Sequence, residues 1–330
     1  MNVIFSFLPV ILFLTFLFLL DSFNLVRVRT LIFCLLCGIL CGGCCYFLNT
    51  GAAKWLAVDF NFLSHYVAPA IEETMKALII LYLISKKKIG FMIDGAIYGF
   101  AVGTGFSLLE NIYFLYNISP DYNFLTWIIR GFGTAIMHGG CTSFFALIFV
   151  GGISMSENKF LTVLPALTLA ILFHSGFNHF LLNPVLQTLL IILFLPLAFV
   201  LVFKYSNSRL QQWLEIEFNS EIEMLNMIRN GNFSSTKAGK YLRSLKAQFA
   251  PETILDMYCY IELYLELSIK AKRNLMLKEN DFPIIVENDI QPKLTELAQM
   301  RKQIGKMGEL SLNPLIRLNY RNLWKLNQLI

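Results

Sequence analysis

The sequence predicts an all-α fold: a polytopic membrane helix bundle of about seven transmembrane helices, followed by a soluble helical domain. Of the 330 residues, 56% are hydrophobic and only 15% are charged, with a mean hydropathy of +0.59. An ordinary soluble domain is less apolar and carries more charge. Apolar stretches of about 20 residues, long enough to cross a hydrocarbon core of roughly 30 Å, recur through the first two-thirds of the chain.

Seven such stretches define the predicted membrane spans. The first has neither the basic n-region nor the A-x-A cleavage site of a signal peptide, so we expect it to be a retained helix. Alternate spans then run in opposite directions through the bilayer. The predicted boundaries are 3–20, 30–48, 62–84, 93–116, 124–152, 161–182 and 185–203.

The composition changes abruptly after Phe203. Residues 204–330 hold 18 of the 27 Lys and Arg residues and 14 of the 22 Asp and Glu residues. We therefore predict two domains, a membrane bundle over 1–203 and a cytoplasmic helical domain over 204–330. The sequence does not indicate which partner the second domain binds. A formal net charge of only +5 gives no indication of a nucleic-acid partner.

The basic residues of the short loops predict the orientation in the membrane. Lys and Arg concentrate in the loops after the first, third and fifth spans, whereas the loops after the second, fourth and sixth contain only Lys54. By the positive-inside rule, the first group of loops and the C-terminal domain face the cytoplasm. The cytoplasmic basic residues are Arg27, Arg29, Lys86, Lys87, Lys88 and Lys159.

Ionisable residues inside the spans are the main functional clue, because each costs several kcal/mol at membrane depth and tends to mark a functional site. They lie on the third to sixth predicted spans. At a rise of 1.5 Å per residue, four of them fall in the outer half of the bilayer, on helices of alternating direction. These four are Glu72, Glu110, His138 and His174.

Two adjacent carboxylates on the third span share one lysine. Glu72 and Lys76 are spaced i,i+4, and Glu73 and Lys76 are spaced i,i+3. Since a Glu that precedes a Lys is best oriented at i,i+4, we predict that Lys76 pairs with Glu72. Glu73 would then be the working general base. Glu110 has an alternative, purely structural role as the counter-ion of Arg130.

Four short motifs now point to a known family. They read E-E-T-M-K at 72–76, F-S-L-L-E-N at 106–111, H-G-G-C-T at 138–142 and H-S-G-F-N at 174–178. In this order they resemble the motifs of the PrsW family of intramembrane proteases, which are relatives of the CAAX-processing and bacteriocin-processing membrane proteases. The resemblance covers about residues 62–182, the motif core.

The resemblance implies a site and a role for the chain. It implies cleavage of a membrane-anchored protein, such as an anti-sigma factor, on the extracytoplasmic side of a bacterial cell membrane. The implied supporting residues are Lys76, Asn111, Arg130 and Thr142. The implied catalytic residues are Glu72, Glu73, Glu110, His138, His174 and Asn178.

Two mechanisms fit these residues. In one, His138, His174 and Glu110 hold a divalent metal such as Zn²⁺, and Glu72 or Glu73 is the general base. In the other, no metal is needed: a glutamate activates water, while a histidine and Asn178 polarise the carbonyl. The metal ligands come from three helices, so their spacing along the chain does not decide between the two.

Two other functional classes stay open at this stage. Intramembrane Glu, Lys, Arg and His residues also form the proton or ion relays of transporters. Against a coupled transporter, the two halves of the bundle show no internal repeat of the kind that many transporters have. The third class is a non-catalytic membrane scaffold or sensor.

Overall fold

The computed structural model describes residues 2–117, 124–153, 159–285, 287–316, 324–326 and 329. The chain forms two compact units, Met1–Asn207 and Ser208–Ile330. The described residues form helices and turns and contain no strand. The predicted all-α class is therefore confirmed.

Helices occupy all seven predicted spans. Two of the spans are interrupted near their first turns by π-helical segments, Leu63–Val67 and Ile129–Thr134. The helices are α1 (Asn2–Leu19), α2 (Val28–Leu56), α3 (Phe60–Phe62), α4 (Ala68–Ser85), α5 (Met92–Asn117), α6 (Phe124–Ile128), α7 (Ala135–Ile153), α8 (Lys159–Asn178) and α9 (Pro184–Arg229).

Several helical segments are long and apolar enough to cross a membrane. In the described part of the chain these are Val28–Leu56, Met92–Asn117, Leu125–Ile153, Phe160–Asn178 and Pro184–Arg229. The apolar part of α1 is shorter, and α4 carries two carboxylates and a lysine. The chain is thus an integral membrane protein, and the total of seven spans stays a prediction.

Helix α5 positions the functional helices by direct backbone contact. It packs against α1, α2, α4 and α7. A Cβ atom on Gly103 would lie 2.3 Å from the carbonyl oxygen of His138 on α7, and one on Gly105 would lie 2.1 Å from that of Leu35 on α2. Glycine at these positions lets the helices approach more closely than any side chain would allow.

Helix α9 is much longer than predicted. The sequence predicts separate helices over 185–203 and 206–229, whereas the structure has a single helix of 46 residues. The polar residues that follow Phe203 include no Gly or Pro, so the change of composition does not interrupt the helix. The helix ends before Gly231, whose φ of +74° favours glycine.

Among the described residues of the C-terminal unit, the longer helices after α9 are α10 (Lys237–Ser244), α11 (Pro251–Glu279) and α12 (Ile290–Ile316). Helix α11 packs against α12. Its buried apolar side chains form the core of this unit together with residues of the neighbouring helices, and they include Met257, Ile261, Tyr264 and Leu267.

Candidate active site

Glu73 is the centre of a buried polar cluster in the membrane unit. Its helix, α4, packs against α2, α5, α7 and α8. The Glu73 side chain is 1% exposed, and its Oε1 lies 2.5 Å from the Lys76 ammonium nitrogen. The same oxygen lies 2.8 Å from Nδ1 of His174 on α8. The structure thus joins the first and fourth motifs by hydrogen bonds.

Lys76 pairs with Glu73, so the predicted pairing with Glu72 is wrong. The i,i+4 preference describes exposed pairs on isolated helices, whereas Lys76 is fully buried. Its Nζ also lies 3.2 Å from Nδ1 of His138 and 4.6 Å from the centre of the Phe106 ring. Contacts from α5, α7 and α8 therefore decide which carboxylate receives the lysine.

Glu72 lies at the side of the cluster nearer α2. Its Oε1 accepts a hydrogen bond of 3.0 Å from Nδ2 of Asn49, and its Oε2 lies 3.9 Å from Nε2 of His174. Asn49 is not among the predicted site residues, because the predicted second span ends at residue 48 whereas α2 continues to Leu56. Its position as a single amide directly after an apolar run was the only sequence feature that could have indicated a site residue.

Glu110 links two further motif residues. Its Oε2 lies 2.9 Å from Nε2 of His138, and its Oε1 lies 3.5 Å from the Arg130 guanidinium. Arg130 Nε donates to Oδ1 of Asn111 at 3.1 Å, and Asn111 Nδ2 donates to the carbonyl of Ser6 at 2.8 Å. Glu110 is therefore both a partner of His138 and the counter-ion of Arg130.

Thr142 and Asn178 bond to backbone carbonyl groups. Thr142 Oγ1 donates to the carbonyl of His138 at 3.1 Å, one turn earlier on α7. Asn178 Nδ2 donates to the carbonyl of Ser64 at 2.9 Å and so ties the end of α8 to the π-helical segment before α4. Both side chains support the helices that carry the cluster.

Three residues of the cluster bring possible metal-ligand atoms close together. Within the described residues, Glu72, His138 and His174 each offer a ligand atom, and these atoms all lie within 4.8 Å of one another. Two imidazoles and one carboxylate are a common ligand set of catalytic zinc, with a fourth position for water. The set differs from the predicted one, because Glu72 stands where the prediction has Glu110.

The neighbours of the two histidines also fit a metal site. His174 is bound at Nδ1 by Glu73, which directs its Nε2 towards Glu72, and His138 is bound at Nε2 by Glu110. Carboxylates that fix the second nitrogen of a metal-binding histidine are typical of such sites. The donor set therefore fits a divalent cation, which would take Nδ1 of His138 in place of the Lys76 ammonium that lies 3.2 Å from this nitrogen.

The second carboxylate oxygen of Glu73, Oε2, is also part of the buried cluster. Glu73 Oε2 is buried and has no hydrogen-bond partner within the described part of the chain. Buried polar atoms almost always have a partner, which is often water or an ion. This oxygen thus lies where a bound water would find an acceptor.

Comparison with protein families identifies the bundle. A family model described as PrsW family intramembrane metalloprotease matches residues 27–203, which is more than half of the chain. The chain belongs to this family. The matched range contains all four motifs and every residue of the buried cluster. Neither the comparison with curated proteins nor the comparison with solved structures gives a match.

Membership of the PrsW family decides the functional class. The chain is a membrane-embedded protease, and the transporter and scaffold hypotheses lose their support. A membrane protease acts on membrane-anchored substrates within a bilayer, and the description of the family as metalloproteases indicates a metal. Helix α1 and the C-terminal unit lie outside the matched residues.

Proposed function

We propose that this PrsW-family protease hydrolyses a peptide bond of a membrane-anchored protein near the extracytoplasmic side of a bacterial membrane. The observation that carries the proposal is the cluster of Glu73, Lys76, His138 and His174. These four residues come from three helices, are almost fully buried and form one chain of hydrogen bonds. Buried charges are weak stabilisers, so a role in chemistry explains the cluster better than a role in packing.

The position of the cluster along its helices supports the extracytoplasmic side. Glu72 lies one turn from the start of α4, and His174 lies one turn from the end of α8. The basic loop residues Lys86 to Lys88 follow the opposite end of α4. The positive-inside rule assigns that end, and with it the C-terminal unit, to the cytoplasm.

In this proposal Glu72, His138 and His174 hold a divalent cation, for which their donor atoms favour Zn²⁺. A cation bound there supplies Lewis-acid polarisation of the scissile carbonyl and of a water molecule. Glu73 fixes the ring of His174, and Glu110 fixes the ring of His138. Glu110 is thus a positioning residue, in place of the ligand role that the sequence analysis gave it.

Glu73 is the proposed general base, for a reason other than the one the sequence indicated. Its Oε1 is fixed by Lys76 and His174, while its Oε2 has no hydrogen-bond partner among the residues that the structure describes. Oε2 accepts a proton from the attacking water as the C–O bond forms. The same proton passes to the amide nitrogen as the C–N bond breaks, which completes the hydrolysis.

The resemblance that the motifs carry also supports a substrate class. We propose a membrane-anchored anti-sigma factor as the substrate. The C-terminal unit, Ser208–Ile330, would then bind a cytoplasmic partner. Four motifs of the family support the substrate class, whereas the role of this unit rests on its separate fold.

A cleavage assay tests the proposed function. The full chain would be reconstituted in phosphatidylcholine vesicles with a panel of synthetic single-span peptides that carry a dye and a quencher across the extracytoplasmic flank. We expect wild-type protein to cut at least one peptide and Glu73→Gln to lose about 10²-fold or more of that rate. Glu215→Gln, which changes an exposed glutamate of α9, is the matched control. Full activity of Glu73→Gln would remove Glu73 from the mechanism.

A further inference from the structure

A large apolar groove lies within the membrane unit, between helices that include two of those carrying the buried cluster. Its volume is 730 Å³, and its walls come from α7, α8, α9 and the residues that join the last two. Gln187 is the one strongly polar side chain among the lining residues, all of which are described. Its Nε2 donates to the carbonyl of Phe177 at 2.8 Å.

The two helices that carry the site histidines, α7 and α8, also line the groove. Met137 and Cys141 flank His138 on α7, while Phe173 and Phe177 flank His174 on α8, and all four line the groove. Met137, Cys141 and Phe177 pack together in the bundle core. A peptide in the groove would thus lie against the two helices that carry His138 and His174.

We infer that this groove binds the transmembrane helix of the substrate and delivers its outer end to the cluster. The inference rests on the proposed function, and it names the surface that selects membrane-anchored substrates. A helix about 10 Å wide with a pitch of 5.4 Å occupies roughly 400 Å³ per turn, so the groove accommodates between one and two turns. Contact over one or two turns would fix the helix beside the site while its remainder stays in lipid.

The composition of the walls favours a helix over a lipid acyl chain. Gly176 on α8 lines the groove, and a Cβ atom built there meets nothing within 4 Å. Membrane helices pack closely at small residues, where the two backbones approach each other. An acyl chain has no backbone and gains nothing from such a position. The groove is also lined by α7 and α8, which carry the two histidines that the scissile peptide of a substrate has to reach.

Filling the groove tests the inference. Gly176→Leu adds a side chain to the groove wall whose Cβ meets no neighbouring atom within 4 Å, and leucine is a better helix former than glycine. Gly51→Leu on α2 is the matched control, because a Cβ there also meets nothing within 4 Å and Gly51 is not a lining residue. Each variant would be assayed on a single-span peptide in vesicles and on a short soluble peptide with the same cleavage sequence.

We expect Gly176→Leu to slow cleavage of the single-span peptide about tenfold or more, with less than about a twofold change on the soluble peptide. Gly51→Leu should change neither rate. Equal slowing of both peptides would overturn the inference, because it would show a distorted site, and so would no slowing of either. If wild-type protein cuts no peptide, the proposed function itself fails, which is a distinguishable result.

A binding measurement tests the groove independently of cleavage. Leu190 of α9, a lining residue, would be replaced by photoreactive benzoyl-phenylalanine in otherwise wild-type protein. On irradiation in vesicles that contain the single-span peptide, we expect a covalent adduct with the peptide. Adducts with lipid alone would contradict the inference, since they would identify the groove as a lipid site.

Discussion

At the scale of single residues, the arrangement of the site depends on which carboxylate, Glu72 or Glu73, forms the ion pair with Lys76. The sequence correctly indicated that Glu72, Glu73 and Lys76 form one group, because charges within an apolar run need partners. It gave the wrong pair, since the deciding contacts come from His138 and His174, about 60 and 100 residues away along the chain. Spacing along one helix carries no information on those contacts.

Lys76→Met should destabilise the membrane unit strongly. It leaves the Glu73 carboxylate buried without its cation, a change that typically costs about 3–5 kcal/mol. Thermal unfolding in detergent would measure the effect, with the exposed Lys54→Met on α2 as the control. The double variant Lys76→Met/Glu73→Gln should recover most of the loss. If the single and double variants unfold alike, the buried pair does not govern stability.

A second buried lysine predicts a pH dependence in the C-terminal unit. Lys325 is fully buried, with its Nζ 2.9 Å from Oε1 of Glu221, and burial lowers its pKa from 10.5 to about 8. The folded unit therefore binds fewer protons than the unfolded chain between about pH 8 and 10.5, so its stability should rise as pH increases through that range. The rise has an upper limit of about 3 kcal/mol.

Denaturant unfolding of the full chain at pH 7 and pH 10, followed by tryptophan fluorescence, would measure this rise. Lys325→Met should flatten the pH dependence, because it removes the titrating group. The exposed Lys237→Met should leave the dependence unchanged. An equal rise in all three proteins would show that another group is responsible.

At the scale of elements, the helices were predictable and their details were not. Apolar runs located each membrane helix, but the π-helical segments before α4 and α7 have no signature in the hydrophobic pattern. The end of α2 and the continuity of α9 were missed because a polar residue is compatible with a continuing helix. Because the second span was predicted to end at residue 48, Asn49 was not recognised as the partner of Glu72.

The contact between α5 and α7 gives an element-scale prediction. Gly103→Ala would place a Cβ atom 2.3 Å from the carbonyl oxygen of His138, and a backbone atom cannot move aside cheaply. Overpacking of this kind costs about 1–3 kcal/mol. We expect a lower unfolding temperature and reduced cleavage, because the turn that carries His138 shifts.

The matched control for Gly103→Ala is Gly51→Ala, whose Cβ would meet nothing within 4 Å. This control should stabilise α2 slightly, since alanine is the better helix former. Both variants would be compared by thermal unfolding in detergent. Wild-type stability and activity of Gly103→Ala would mean that α5 and α7 are not in such close contact.

At the scale of the whole molecule, the change of composition predicted two domains, and the structure divides into Met1–Asn207 and Ser208–Ile330. The roles assigned to the two parts stay predictions. Sequence motifs predicted a functional site in the membrane part but none in the C-terminal part. Ionisable residues are rare within membrane spans, so each one there is informative. On a soluble helical unit, charged residues are ordinary and carry no comparable signal.

Deletion of residues 210–330 should leave the membrane unit folded. The unit that ends at Asn207 is compact by itself, and it contains the whole buried cluster. Recovery from membranes as a monodisperse detergent complex with a cooperative thermal transition would confirm the expectation. A truncated chain that is recovered only as aggregate would show that the two units depend on each other for folding.

The central claim is that the cluster is a metal-dependent catalytic site with Glu72, His138 and His174 as ligands. Metal analysis of purified full-length protein by mass spectrometry tests it most directly, with Glu72→Gln and His174→Ala compared against Glu110→Gln and the exposed Glu215→Gln. We predict one equivalent of bound zinc in wild type, Glu110→Gln and Glu215→Gln, and a large loss in Glu72→Gln and His174→Ala. A full equivalent of metal in Glu72→Gln, or none in wild type under zinc-replete conditions, would contradict the claim.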